Sequence, residues 1–117
     1  MPALTFSQAL AANDLGINPI SDWQFEQIPS TWPNGAVVQL MLRATTINTR
    51  VTVYSGSQTI QERSPIQGGG TAGTTPAPLN TYPLTFFAQR GDRLKVLLDE
   101  VGGAVATVDG VITAEPV

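Results

Sequence analysis

Ala36-Val37-Val38-Gln39-Leu40-Met41-Leu42-Arg43-Ala44 is the stretch on which the fold turns. It holds no Gly, Pro or Asn, and its side chains alternate as a strand requires. Val38, Leu40 and Leu42 share one face; Val37, Gln39, Met41 and Arg43 share the other. A strand that is apolar on nearly both sides needs a cover on each. The pattern predicts a central strand whose second cover comes either from the chain itself or from a partner. Val37 and Met41, on the second face, become candidate contact residues. Just before the stretch, Pro33 and Asn34-Gly35 form a strong turn signal.

Working outward, the same period recurs. Trp23, Phe25 and Ile28 alternate with Gln24, Glu26 and Gln27, which predicts a strand ended by Pro29. Arg50 to Tyr54 alternates cleanly and Ser55-Gly56-Ser57 turns the chain. Thr59 to Glu62 is a further short strand. Pro65 opens a loop over 67–80 with three consecutive glycines, Gly68 to Gly70. Loops of that length are usually functional or mobile. Tyr82 to Ala88 reads as a strand that Pro83 pushes toward an edge. Arg90-Gly91-Asp92 is a turn, Leu94 to Leu98 a strand, and Gly102-Gly103 a hairpin turn. Ala104 to Ala114 closes the chain, with Asp109-Gly110 a point where it can break. About seven or eight short strands spaced by about ten residues predict an all-β domain, a sandwich or a barrel.

Residues 1–20 are the ambiguous part. Phe6, Ala9 and Leu10 can share a helical face that Gly16 would stop, and Leu4 to Ser7 can form a short edge strand. The breakers Asn13-Asp14 and Asn18-Pro19 favour an irregular arm. Such an arm is too apolar to lie free in water, and docking on a neighbouring subunit is expected. Deleting residues 1–17 should then weaken assembly and leave the β fold intact. The domain reading is an arm at 1–20 and a β domain at 21–117.

Composition excludes several chemistries. Within 117 residues, charged side chains make up 13%, against about 25% in ordinary domains. Depleted charge suits a surface that meets protein. Net charge is −3, and the six basic residues form no run, so nucleic acid is not an expected partner. The absence of Cys and His removes disulfides, thiolate chemistry and the commonest general base. No apolar stretch reaches the roughly 20 residues that span a bilayer as a helix. The opening Met-Pro-Ala-Leu-Thr-Phe lacks a basic region and a long apolar core. The expectation is a complete chain made in the cytoplasm without a signal peptide. Neither a cofactor nor an enzyme activity is expected.

Individual motifs have plain readings. Gly68 to Thr75 lacks the Lys-Ser/Thr of a phosphate loop and no helix follows it, so it reads as an inter-strand loop. Asp99 and Glu100 are adjacent in a strand and point to opposite faces, which is wrong for a shared acid–base site. Asp92, Asp99, Glu100 and Asp109 lack the ligand spacing of a calcium loop. Arg90-Gly91-Asp92 matches an integrin-recognition tripeptide by letter, and a Gly turn explains it equally. Trp23 is expected in the core. Trp32, beside a turn, is expected at the surface.

The chain resembles small virion proteins of bacteriophages, of the decoration (cement) or minor capsid kind. The resemblance rests on Asn18 to Glu26, Tyr54 to Ser57, Ser64 to Gly73, Ala88 to Leu94 and the Gly102-Gly103 hairpin, over residues 18–117. It implies a jelly-roll-like antiparallel β-sandwich that self-associates, with a trimer as one arrangement, and binds a major capsid protein. It also implies a location in the virion. The interface residues expected on that reading are Leu4, Phe6, Leu10, Ile17, Trp32, Val37 and Met41. The alternative is a carbohydrate-binding or adhesive β-sandwich module that stacks sugars on Trp32, Tyr54 and Tyr82.

Overall fold

In the computed structural model, which describes residues 3–21, 23–70, 73, 76 and 83–117, the stretch Ala36–Ala44 is a strand with a neighbour on each side. Numbered along the chain, the strands are β1 (Ala3–Leu10), β2 (Ala36–Ala44), β3 (Thr49–Ser55), β4 (Gln58–Pro65), β5 (Leu84–Ala88), β6 (Leu94–Glu100) and β7 (Ala106–Pro116). They form two antiparallel sheets, β1-β7-β2-β5 and β4-β3-β6, packed together as a β-sandwich.

The core lies between the sheets and follows the alternation read from the sequence. Val38 and Leu40 of β2 with Val108 and Ile112 of β7 belong to one cluster with Val51 and Val53 of β3 and Val96 and Leu98 of β6. None of these is more than 3% exposed. Burying each such side chain contributes roughly 1.5–3 kcal/mol. Ile20, Ile28 and Ile66 enter the same cluster from the connections.

Two segments beside β6 bridge to it without forming full strands. Ile17 and Leu98 exchange backbone bonds of 3.0 and 2.8 Å, and the Glu100 N–H donates to the Asp14 carbonyl at 2.7 Å. Farther down, the Ile28 N–H donates to the Asp92 carbonyl and the Leu94 N–H to the Glu26 carbonyl. The second edge of β6 is thereby capped at both ends.

Three expectations change. The irregular arm at 1–20 is a strand over Ala3–Leu10, paired with β7 from Ala3↔Thr113 to Leu10↔Ala106. Its alternate residues Leu4, Phe6 and Leu10 turn into the chain's own core, with Leu10 only 1% exposed. Deleting 1–17 would therefore strip a sheet of its edge strand. Only the part after Leu10 is irregular. The strand expected over Trp23–Ile28 is a run of turns, closed by bonds from Trp23 N–H to the Ile20 carbonyl and from Glu26 N–H to the Trp23 carbonyl. Its aromatic period serves a ring cluster instead. Finally, Met41 is buried at 9% and does not present an exposed apolar surface. The cover on that face is internal in part: Gly70 packs on Arg43, and the Gly73 N–H reaches Asp109 Oδ1 at 3.2 Å. Arg43 and Asp109 are paired across β2 and β7, one pair along from Met41 and Val111 on the same face. Within the loop expected at 67–80, residues 71, 72, 74, 75 and 77–80 lie outside the described residues, as does Tyr82.

Candidate functional site

The acidic side chains hold the loops in place. Glu100, 2% exposed at the end of β6, accepts the N–H groups of Asn13 (2.8 Å), Gly102 (2.7 Å) and Gly103 (3.0 Å). The Asn13 bond, together with those from the Gly102 turn, holds its carboxyl below the ordinary 4.5, against the opposing pull of desolvation. Asp99, on the other face, accepts the Gly16 N–H at 2.7 Å and meets Arg63 at 2.9 Å. Between them the two carboxylates fasten residues 13–16 to the end of β6.

Asp92 accepts Ser55 Oγ–H and the Gln89 N–H, so the Arg90-Gly91-Asp92 tripeptide is a turn whose carboxylate closes it. Glu26, 7% exposed, pairs with Arg93 at 2.7 Å. Among the described residues no group of three or more acidic side chains is placed to share a metal ion. No helix there is long and apolar enough to cross a membrane.

Between the sheets a cleft of about 520 Å³ opens beside Leu40, Leu42, Val51, Ile66 and Leu84, with Gln61 and Gln67 as its polar members. It is a gap in the sandwich on the side where β4 and β5 are the outer strands.

The most distinctive surface is one end of the sandwich. Antiparallel order brings four connections together there: 11–16 after β1, 45–48 after β2, 66–70 after β4 and 101–105 after β6. Bonds tie them to one another, from Val101 N–H to the Asn48 carbonyl and from Asn13 N–H to Glu100. At this end Leu15 is 67% exposed, Ile47 76%, Val101 41% and Val105 75%. The four connections contain one ionisable side chain, Asp14. Four large apolar side chains on loops with so little charge is the composition of an interface core.

The residues expected to form an interface do not share one surface. Leu4, Phe6 and Leu10 face the core, and Ile17 is bridged to Leu98. Trp32 is half-buried with its ring stacked on Phe25, centroids 5.2 Å apart, and Phe25 meets Trp23 edge-on at 5.8 Å. That stacking occupies a face of the ring on which the sugar-binding alternative depends. Trp23, expected in the core, is half-buried at its margin. Val37 is exposed beside Phe87, its partner on β5.

Sequence reasoning counted Leu15 only among the apolar residues of an arm expected to dock, and missed Ile47, Val101 and Val105. The available signal was apolar residues inside turn-like context: Leu15 before Gly16, Ile47 within Thr45-Thr46-Ile47-Asn48, and two valines flanking Gly102-Gly103-Ala104.

Comparison with protein-family models, with curated proteins and with solved structures found no match to this chain.

Proposed function

We propose that the chain is a structural protein of a bacteriophage particle that self-associates and binds or stabilises the capsid. The observation that carries this reading is the apolar loop end formed by Leu15, Ile47, Val101 and Val105. Side chains so exposed, on connections that carry a single ionisable group, are best accommodated against another protein.

The strand order supports the same class. The orders β1-β7-β2-β5 and β4-β3-β6 are what an eight-stranded jelly roll leaves when the strand beside β6 shrinks to bridges. The bridges Ile17↔Leu98 and Gln27↔Arg93 lie where that strand would run. Jelly rolls are frequent in viral shells and also serve other roles, so the fold supports the role that the exposed apolar end carries.

Mass spectrometry of purified particles from the source tests the proposal. The expected result is this chain at a fixed ratio to the major capsid protein. Ile47→Asp with Val105→Asp should remove it from the particles while its thermal unfolding stays unchanged. Particles that lack the chain would overturn the reading.

A further inference from the structure

Among the described residues the sandwich protects some of its sheet edges and leaves one open. An edge strand presents unpaired N–H and C=O groups that invite another strand, and folds usually blunt such edges with charge, proline, bulges or brevity. β4 carries Glu62 and Arg63, ends on Pro65, and shifts register twice against β3. β5 is five residues long. The second edge of β6 is capped by the segments at Ile17 and Gln27.

β1 has none of these devices. Ala3-Leu4-Thr5-Phe6-Ser7-Gln8-Ala9-Leu10 is eight residues long, uncharged, free of proline and in unbroken register with β7. Among the described residues no other strand pairs with its free side, where the Ala9 carbonyl accepts a bond from Gln8 Nε2 of the same strand at 3.0 Å. On that side alternate residues of β1 turn their backbone groups away from β7.

We infer that the free edge of β1 pairs antiparallel with β1 of a second copy of this chain, joining the two β1-β7-β2-β5 sheets across a two-fold axis. A second copy is favoured as occupant by three features of the strand itself. With no charge in β1, self-pairing sets no like charges opposite one another. Its outward face is Ala3, Thr5, Ser7 and Ala9, all exposed and small, so a second backbone can approach closely. An antiparallel strand pair also satisfies a closed two-fold contact, in which one patch meets itself. To keep both cores on the same side of the joined sheet, Thr5 and Ser7 must face the same residue set on the partner. The axis then passes at Phe6 or at Ser7.

This names the contact through which the proposed self-association occurs, and so rests on that reading. It differs from the side-chain docking expected of an arm. Leu4, Phe6 and Leu10 remain in their own core, and the backbone makes the contact.

Sedimentation velocity of the full chain across a micromolar concentration series tests it, alongside Thr5→Lys with Ser7→Lys. With the axis at Phe6 position 5 faces position 7 of the second copy, and with the axis at Ser7 position 7 faces itself, so like charges meet in either register. The expected result is a dimer for the unaltered chain and a monomer for the double variant, with the same circular dichroism spectrum. Thr5→Cys with Ser7→Cys, in a chain otherwise free of cysteine, should give a covalent dimer on oxidation, and Glu62→Cys on β4 should not. Should the lysine variant fail to fold, this cross-link decides, and its absence overturns the inference. A dimer that persists in a folded lysine variant overturns the β1 contact while self-association stands. An unaltered chain that stays monomeric sinks both. A monomer that binds particles only when β1 is unaltered assigns the edge to a capsid strand, and overturns the second copy as occupant.

Discussion

Phe6 lies over Gly110, the residue directly opposite it on β7, so closely that a methyl group there would stand 2.2 Å from Phe6 Cζ. Leu42, opposite Gly110 on the other side, would be 2.8 Å from the same methyl. The glycine lets an aromatic ring and a leucine meet across the middle of a three-strand ribbon. Gly110→Ala should therefore destabilise by about 1–3 kcal/mol through overpacking. Phe6→Ala should cost about 2 kcal/mol, less than a fully buried phenylalanine because the ring is half-exposed. The two losses should not add. With the ring gone the methyl has room, and urea unfolding of the double variant should reveal a coupling on the order of 1 kcal/mol. Strict additivity would show that the ring does not lie there.

Gly35 is constrained in a different way. Its φ is +76°, and a Cβ would sit 2.3 Å from the Ala88 backbone oxygen, which cannot rotate aside. Gly91 has a similar φ of +82° with nothing within 4 Å. Gly91→Ala should cost about 1 kcal/mol, the left-handed penalty alone. Gly35→Ala should cost about 3 kcal/mol or more, because strain and clash combine. Equal midpoints in urea for the two variants would contradict the close approach of β5 to the turn before β2.

Glu100 links stability to pH. Its carboxyl is held below 4.5 in the folded chain, chiefly by the Asn13 N–H, so the folded state binds that proton less readily than the unfolded one. The stabilisation is fully present above 4.5 and is lost as pH falls through the lower folded value. Glu100→Gln should lower the melting temperature at neutral pH, because an amide cannot accept from all three N–H groups as well. It should also flatten the decline in melting temperature below pH 4.5. An undiminished decline in the variant would place the acid-sensitive group elsewhere.

How much of this was legible in the sequence depends on where the signal was local. β2 shows the bounds that its alternation predicts, and β3 and β6 follow their apolar period because one face of each is fully buried. β1 was obscured because its outward face is Ala, Thr, Ser and Ala, with no charge to mark it as solvent-facing. Its partner is also about a hundred residues away, in β7. Trp23, Phe25 and Ile28 imitate a strand because a turn that packs rings against one another also spaces aromatics by two. The apolar end was invisible for a topological reason. Leu15, Ile47, Val101 and Val105 are neighbours only once the strand order decides which connections share an end.

The capped edge of β6 depends on Arg93. Its Nε and Nη2 both reach Glu26 Oε1, at 2.8 and 2.7 Å, while the Leu94 N–H donates to the Glu26 carbonyl at 2.6 Å. The arginine side chain is 66% exposed and the glutamate 9%. An exposed pair contributes about 0–1 kcal/mol, but removing the arginine leaves a buried carboxylate without its partner. Arg93→Ala should therefore cost about 1 kcal/mol, more than an exposed arginine without such a partner. Arg90→Ala, in the adjacent turn, should stay within about 0.5 kcal/mol. Adding Glu26→Gln to Arg93→Ala should recover part of the loss, since the amide carries no charge to strand. Hydrogen exchange supplies the local readout. In Arg93→Ala the Ile28 and Leu94 amides should exchange faster, while Thr52 and Leu97 keep their protection, because only the cap is loosened and the β3–β6 ladder is intact. Faster exchange at all four would mean that the pair stabilises the whole sandwich and not its edge.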